Sequence, residues 1–350
     1  MSPAIHSGVV RNSYSRPASR TWSSGQPRSS ARAFHASLPG YTATPLLELP
    51  TIADEFEVGR VLVKDESSRL GLPAFKVLGA SWACKQVLDR QPGAHLVTAT
   101  DGNHGRAVAR MAAHFGTTAT VFVPTVLPST TADLIAGEGA EVVRIDGDYD
   151  RTVRAAADHA AADPGRALVQ DTAWPGYEEV PSWIVDGYAT LLQEIDEALG
   201  GAPDLVAVPV GVGSLAQAVV THYRRPGQEH PAVLSVEPDT AACLLTSLTR
   251  GEPATVDTAD TVMAGLNCGT VSSTAWPVLR DGCDAAVSVT DQQALGASAE
   301  LRTLGVSSGP CGAATLAGIR EFLRDPAHRC DLHLPTDAIV VLLNTEGLRS

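Results

Sequence analysis

At 350 residues, with 44% hydrophobic and 19% charged residues, the chain is long enough to bury one large core or two ordinary ones. Its formal net charge of −13 argues against binding to a nucleic-acid backbone, because such binding needs clustered lysine and arginine. Apolar runs fall short of the roughly 18 residues that a membrane-spanning helix needs, so we expect no membrane partner either.

The N-terminal residues 1–35 differ in composition from the rest of the chain. They are rich in serine and arginine and contain no acidic residue, which is typical of transit peptides and of flexible arms. Because they lack a convincing amphipathic apolar face, we expect a flexible N-terminal arm over residues 1–35.

From residue 60 onward, short apolar runs alternate with segments of helical periodicity. Strands are predicted at 60–64, 95–100, 119–123, 141–145, 205–210, 232–236 and 338–343. Helices are predicted at 76–90, 104–114, 129–137, 150–162, 182–199, 213–223, 291–304 and 312–324. This alternation indicates βαβ units and an α/β fold with parallel sheets covered on both faces. Ligands of such sheets bind beyond the carboxyl ends of the strands, so the loops there are the candidate site.

The first candidate is Lys76, which lies among Phe75, Val77 and Leu78 at the start of a predicted helix. Apolar surroundings disfavour the charged ammonium and so suit a lysine that forms a Schiff base. An ordinary lysine whose stem packs while its ammonium reaches solvent fits the same pattern.

The second candidate is the turn Asp101-Gly-Asn-His-Gly105, which joins a predicted strand to a predicted helix. Aspartate and asparagine are preferred helix N-caps, and glycines permit tight turns, so Asp101 and Asn103 fit a purely structural role. A carboxylate and an amide at the end of a parallel strand also suit ligand binding. The turn alone leaves both interpretations open, and we expect His104 to be structural.

The third candidate is the segment Gly211-Val-Gly-Ser-Leu215, which follows an apolar strand and begins a helix. Its glycines let backbone N–H groups approach an anion at the helix N-terminus. The segment has neither the third glycine of a dinucleotide fingerprint nor the Gly-Lys-Ser/Thr of a P-loop. It therefore favours a single phosphate group, with a plain tight turn as the alternative.

The cysteines and histidines are scattered along the chain. The six cysteines include no C-x-x-C pair, and the histidines form no H-E-x-x-H motif. We therefore expect reduced thiols, as in the cytoplasm, and neither a disulfide framework nor a metal site.

The order of these motifs carries a family resemblance. Phe75-Lys76 with Gly79, then Gly102-Asn-His-Gly105, then Gly211-Val-Gly213 resemble the fold-type II (tryptophan synthase β-like) pyridoxal phosphate enzymes, and within them the diaminopropionate ammonia-lyase family. Further similar segments run from about residue 31 onward, at 31–35, 41–46, 169–174, 181–190, 236–238, 261–268 and 344–347.

The resemblance implies a cofactor, pyridoxal 5′-phosphate, and a role for each candidate. Lys76 would carry the cofactor as a Schiff base, Asn103 would bind its ring hydroxyl, and Thr345 would face its pyridine nitrogen. Its phosphate would be held by the backbone amides of Gly211, Val212, Gly213, Ser214 and Leu215.

Asp101 is the informative position in this comparison. Dehydratases of the group usually carry serine or threonine there, whereas diaminopropionate ammonia-lyases carry aspartate. The resemblance implies that Asp101 is the base for one substrate enantiomer and Lys76 the base for the other. Asp171 is a candidate for holding the substrate's β-amino group, with a loop cap as the alternative. The implied reaction is β-elimination of 2,3-diaminopropionate, through an aminoacrylate, to pyruvate and ammonia.

One departure from the family keeps other functions open. Residues 308–312 are Ser-Gly-Pro-Cys-Gly, where the family usually has Ser-Gly-Glu-Ser-Gly. The alternative is β-elimination or β-replacement on serine, a serine ester or another β-substituted alanine. A third interpretation, of a different class, is a non-catalytic sensor or partner subunit with the same fold.

The resemblance also implies the domain organisation. A large cofactor-binding domain would comprise residues 36–77 and 181–350, and a small mobile domain would comprise residues 78–180. The expected partners are a small amino-acid substrate and a second copy of the chain in a homodimer.

Overall fold

Eleven strands form two sheets in the computed structural model, which describes residues 12–25, 29–147, 149–227 and 230–348. The strands are β1 (Ser13–Ser15), β2 (Leu46–Glu48), β3 (Arg60–Asp65), β4 (His95–Ala99), β5 (Ala119–Pro124), β6 (Glu141–Ile145), β7 (Arg166–Leu168), β8 (Leu205–Pro209), β9 (Ala232–Pro238), β10 (Ala285–Val289) and β11 (Ile339–Asn344). The larger sheet has the order β1-β10-β9-β8-β11-β3-β2, and the smaller has the order β6-β5-β4-β7. Neighbouring strands are parallel except in the two outer pairs of the larger sheet, β1 with β10 and β2 with β3.

Helices surround the two sheets. They are α1 (Ala31–Ser37), α2 (Pro50–Phe56), α3 (Lys76–Arg90), α4 (Asn103–His114), α5 (Ser129–Gly137), α6 (Tyr149–Ala161), α7 (Glu179–Leu199), α8 (Ser214–Tyr223), α9 (Cys243–Arg250), α10 (Ala275–Gly282), α11 (Asp291–Thr303), α12 (Pro310–Phe322) and α13 (Pro326–Leu332). Within the described part of the chain, no helix is both long and apolar enough to cross a membrane.

The α/β fold with parallel sheets is confirmed. Every residue of β8 and β9 is buried, as expected for central parallel strands covered by helices on both faces. The predicted helices at 76–90 and 129–137 match α3 and α5 residue for residue.

The two sheets come from different parts of the chain. The larger sheet contains β1 to β3 and β8 to β11, whereas the smaller sheet contains the consecutive strands β4 to β7. The chain thus leaves the larger sheet after Asp65 and re-enters it at Leu205. Helices α3 and α7 pack against each other beside these two crossings.

The N-terminal residues differ from the flexible arm that was expected over 1–35. β1 pairs antiparallel with β10 at the edge of the larger sheet. His35 is fully buried in α1, with its Nδ1 2.7 Å from Thr190 Oγ1 and its Nε2 3.0 Å from Leu78 O. Backbone pairing and a buried ring thus hold residues 12–25 and 29–35 on the protein body. Residues 1–11 and 26–28 lie outside the described residues.

A buried ion network anchors the segment that leads into α3. Glu194 Oε2 of α7 lies 2.6 Å from Lys64 Nζ and 2.7 Å from Arg69 Nη2, and Arg69 also pairs with Glu66. Burial alone would raise the pKa of Glu194, but the hydrogen bonds and charges of Arg69 and Lys64 outweigh burial and lower it to about 2. The network fixes β3 and the segment after it to α7.

Candidate active site

A cavity lies where loops from both sheets meet. Its walls include residues that follow β4, β6, β7, β8 and β11, so it lies at the carboxyl ends of parallel strands. The lining residues are Phe75, Lys76, Thr100, Asp101, Gly102, Asn103, His104, Tyr149, Asp171, Pro209, Gly211, Val212, Gly213, Ser214, Leu215, Gly265, Leu266, Cys268, Cys311, Thr345 and Glu346. All the candidate residues predicted from the sequence are among them. No group of three or more His, Cys, Asp or Glu side chains in the described residues could hold a metal ion.

An ion pair between Lys76 and Asp171 forms the charged centre of the cavity. Lys76 is the first residue of α3, and its Nζ donates a hydrogen bond to Asp171 Oδ2 at 2.6 Å. Burial lowers the pKa of Lys76, but the Asp171 carboxylate outweighs burial and raises that pKa above its usual range. Burial raises the pKa of Asp171, but the Lys76 charge outweighs it and lowers that pKa to about 2. Both groups are therefore charged at neutral pH.

The turn at 101–105 is held by Thr100 rather than by Asp101. Thr100 Oγ1 accepts hydrogen bonds from the backbone N–H groups of Gly102 and Gly105, both at 2.9 Å. Helix α4 begins at Asn103, and no side chain caps it. Thr100 thus accepts two of the amides at this helix start, and Asp101 lies on the cavity wall.

His104 also lines the cavity. Its Nε2 lies 2.8 Å from Val169 O, and its Nδ1 has no hydrogen-bond partner among the described residues. Burial lowers the pKa of His104, so the ring is neutral at pH 7. With Nε2 donating to the carbonyl, Nδ1 is a bare acceptor.

The C-terminal segment is joined to the lysine segment. Phe75 N donates to Thr345 O at 3.2 Å, and Ala74 and Glu346 form an isolated antiparallel bridge. Asn103 Nδ2 donates to Glu346 Oε2 at 3.2 Å. These contacts bring the start of α3, the start of α4 and the end of β11 to one wall.

The glycine loop forms another part of the cavity wall, at the N-terminus of α8. Gly213 has φ +97°, a left-handed conformation that strongly favours glycine. A Cβ at Gly211 would lie 3.0 Å from Gly265 O, so the loop is packed closely against the 264–268 segment. Ser214 Oγ donates to Asp171 O at 2.8 Å, which fixes the loop to the residue that pairs with Lys76. The backbone amides of the first turn of α8 are suited to bind an anion.

These residues fit pyridoxal phosphate. The wall holds a primary amine at Lys76, an anion-binding helix N-terminus at 211–215, and an amide and a hydroxyl at Asn103 and Thr345. The unpartnered His104 Nδ1 adds a buried acceptor. The set matches a ligand with an aldehyde, a phosphate and a polar aromatic ring.

Sequence reasoning assigned no role to Tyr149, Cys268 or Glu346 on the cavity wall, and it identified Cys311 only as part of the departure from the family motif at 308–312. Tyr149 Oη accepts a hydrogen bond from Gln170 Nε2 at 3.0 Å, and burial raises the pKa of Tyr149 well above its usual range. Its position just beyond β6 was a usable signal, since ligand sites follow strand ends. Glu346 and Cys268 belong to segments that resembled the family but had been given no role.

The departure at 308–312 reaches the cavity. Pro310 begins α12, and Cys311 lines the cavity wall. Ser308 Oγ donates to Asn344 Oδ1 at 2.8 Å, so the segment is attached to the end of β11 beside Thr345. The substitution of a thiol for the family's serine therefore changes the chemistry of the wall.

Comparison with known proteins covers almost the whole chain. Residues 38–346, which include every cavity residue, match the family described as pyridoxal-phosphate dependent enzymes. The chain is 36% identical over 351 aligned positions to the diaminopropionate ammonia-lyase of Escherichia coli K12, covering 91% of this chain and 87% of that enzyme.

Two solved structures of that Escherichia coli enzyme share the fold. The complex with an aminoacrylate-PLP azomethine reaction intermediate has a TM-score of 0.81 at 36% identity, covering 91% of this chain and 87% of the other. The complex with D-serine has a TM-score of 0.84 at 33% identity, covering 96% and 94%.

Proposed function

The chain belongs to the pyridoxal-phosphate dependent enzyme family, and from this premise we propose that it eliminates the β-amino group of 2,3-diaminopropionate to give pyruvate and ammonia. The observation that carries the proposal is that two carboxylates, Asp101 and Asp171, line the cavity that contains Lys76. Diaminopropionate has two amino groups, whereas serine has one, so a site with two aspartates beside the lysine matches it better; the third carboxylate of the cavity, Glu346, accepts a hydrogen bond from Asn103. The identity to diaminopropionate ammonia-lyase supports the same substrate.

The cofactor would be held mainly by residues that follow strands of the larger sheet. When bound, pyridoxal phosphate supplies an electron sink that stabilises negative charge at the substrate's Cα. Lys76 would hold it covalently, Asn103 would bind its ring hydroxyl, and Thr345 would lie at its ring nitrogen. Its phosphate would be bound by the backbone amides of Gly211, Val212, Gly213, Ser214 and Leu215.

The proton at Cα is removed by Asp101 for one enantiomer and by Lys76 for the other. General bases must lie within hydrogen-bond reach of the proton that they abstract, and both residues line the same cavity. Asp171 stays ionised at neutral pH, since its pKa is about 2. It therefore holds the substrate's β-ammonium group and exchanges its ion pair with Lys76 for one with the substrate.

We further propose two domains that close over the substrate. Residues 36–77 and 181–350 would form the large domain and residues 78–180 the small mobile one. The confinement of β4 to β7 to their own sheet supports this division. Closure would exclude water from the cavity. A homodimer in the cytoplasm completes the proposal, supported by the family resemblance and by the absence of any disulfide among the cysteines that the structure describes.

A substrate panel tests the function. The cofactor-loaded protein is given both enantiomers of 2,3-diaminopropionate, serine, O-acetylserine and β-chloroalanine, and pyruvate and ammonia are both measured. Diaminopropionate should give the highest kcat/KM and release two molecules of ammonia per pyruvate, whereas serine releases one. Absence of pyruvate from both diaminopropionate enantiomers contradicts the proposal.

A second candidate is elimination or replacement on a β-substituted alanine such as serine or a serine ester. Cys311 on the cavity wall is the observation that favours it, because the family usually has serine at that position. The relative solved with D-serine shows that this fold accepts such a ligand. In the panel, a kcat/KM for O-acetylserine above that for diaminopropionate would select this function.

A further inference from the structure

Tyr188 is a buried tyrosine of α7 that has no assigned role. It is fully buried, and its ring centroid lies 4.7 Å from that of Phe75, the residue before Lys76. Apart from its contact with Lys76, its hydroxyl has no hydrogen-bond partner among the described residues. A buried hydroxyl without a partner is unfavourable. Phenylalanine would pack equally well here without that penalty, so packing alone does not explain the hydroxyl.

Two glycines bring this tyrosine to the lysine. A Cβ at Gly79 of α3 would lie 2.6 Å from Tyr188 Cε1. A Cβ at Gly187 of α7 would lie 2.4 Å from Leu78 O. Any larger residue at either position would separate α3 from α7 and move the tyrosine ring away from the first turn of α3.

The Tyr188 hydroxyl lies beside the Lys76 ammonium. Burial raises the pKa of Tyr188, and the Lys76 charge opposes that rise. The other titratable groups that face Lys76 are Asp171, His104 and Cys268. Burial lowers the pKa of His104 and raises that of Cys268 to about 12, so Asp171 is the charged one at neutral pH.

We propose that Tyr188 is a positioning residue that takes the hydrogen bond of the Lys76 amine whenever Asp171 is bound to the substrate's β-amino group. The proposal rests on the proposed function, because Asp171 Oδ2 now bonds Lys76 and must be released to bind the substrate. A carboxylate only accepts hydrogen bonds, whereas a phenol both accepts and donates. Tyr188 can therefore hold Lys76 as an ammonium or as a free amine.

A double-mutant cycle on the cofactor-free full chain tests the proposal without any substrate. Wild type, Tyr188→Phe, Asp171→Ala and the double variant are mixed with pyridoxal phosphate at pH 8, and Schiff-base formation is followed by absorbance. With Asp171 present, Y188F should change the rate by less than about twofold, because the carboxylate dominates the pKa of Lys76. In the D171A background, Y188F should raise the rate of Schiff-base formation about tenfold. There the Tyr188 hydroxyl is the acceptor that remains for Lys76, and its loss should lower the pKa of Lys76 by about one unit.

Tyr223→Phe is the matched control. Tyr223 is also a fully buried tyrosine, but its hydroxyl interacts with Asp196, and it lies on α8 beside His222 and does not line the cavity. Y223F should leave the rate unchanged in both backgrounds. Equal effects of Y188F in the two backgrounds, or no increase in D171A, would overturn the proposal.

Turnover by the loaded protein gives a second readout. Y188F should lower kcat for diaminopropionate about tenfold with KM nearly unchanged, as expected when a group acts after binding. D-serine has no β-amino group, so Asp171 stays paired with Lys76 when D-serine is bound. Y188F should therefore lower kcat for D-serine by less than about threefold. Equal losses for both substrates count against the proposal. If wild type releases no pyruvate from diaminopropionate, the proposed function fails, while the substrate-free cycle still decides the role of Tyr188.

Discussion

Replacing Asp171 with asparagine should speed the capture of pyridoxal phosphate by the cofactor-free protein. Only an unprotonated amine attacks an aldehyde, and the Asp171 carboxylate keeps Lys76 protonated by raising its pKa. Asparagine has nearly the same shape but no charge, so D171N removes the electrostatic effect with little change in packing.

The magnitude follows from the carboxyl group of the pair. Burial raises the pKa of Asp171, yet the Lys76 charge lowers it from 3.8 to about 2. That lowering corresponds to roughly 2 kcal/mol in favour of the charged pair. Without the carboxylate, the Lys76 ammonium loses the same stabilisation, and the pKa of Lys76 falls. At a pH below that pKa, the fraction of Lys76 present as free amine should rise on the order of 50-fold.

The assay is the rate of Schiff-base absorbance at fixed pyridoxal phosphate, measured from pH 7 to 9. Wild type should show a rate that increases with pH over the whole range, because the raised pKa of Lys76 lies above it. D171N should start at a higher rate. Asp196→Asn is the matched control, since Asp196 pairs with His222 at 2.6 Å and does not line the cavity. An unchanged rate in D171N, or an equal increase in D196N, refutes the reasoning.

Three further substitutions test other parts of the structure. Asp101→Ser should lower pyruvate release from one diaminopropionate enantiomer at least 100-fold while the cofactor absorbance persists, because a general base contributes about 10²–10⁴ in rate; equal losses for both enantiomers would contradict its role. Glu194→Gln should reduce the free energy of unfolding by about 3–5 kcal/mol in urea titrations at pH 7. Because the pKa of Glu194 is lowered to about 2, this difference should shrink as the pH falls from 4.5 toward 2. Gly213→Ala should weaken cofactor affinity at least tenfold by equilibrium dialysis, because φ at this position is +97°; Gly296→Ala, in the open part of α11, should not.

Most of the strands that sequence patterns predicted have a buried interior, although the predicted strand β6 is partly exposed. β8 and β9 are continuous apolar runs, and a parallel core strand needs such a run. β1 is Ser-Tyr-Ser at the edge of the larger sheet, and its only strand partner among the described residues, β10, lies more than 250 residues away in the chain. No local pattern marks such a strand. β10 was not predicted from the sequence, because its alanines and serine are small residues that do not favour a strand over a loop.

The sequence predicted which residues line the candidate site, but it did not predict which of them contact each other. Position at strand ends identified Asp101 and the glycine loop, and the family resemblance added Asp171 and Thr345. The pairing of Lys76 with Asp171 joins residues 95 positions apart, so only the packing of the two sheets determines it. The same holds for Asn103 and Glu346, which are 243 positions apart.

The turn at 101–105 shows how one position can change its chemistry without changing the fold. Thr100 Oγ1 accepts hydrogen bonds from the backbone amides of Gly102 and Gly105, so residue 100 rather than residue 101 holds these two amides. The same position can therefore carry aspartate in diaminopropionate ammonia-lyases and serine or threonine in the dehydratases without a change of fold. Asp101 and Asp171 follow strands of the smaller sheet, whereas the glycine loop and Thr345 follow strands of the larger sheet. In the proposed function, the residues that select the substrate and those that bind the phosphate would thus follow strands of separate sheets, and Lys76, at the start of α3, would serve both.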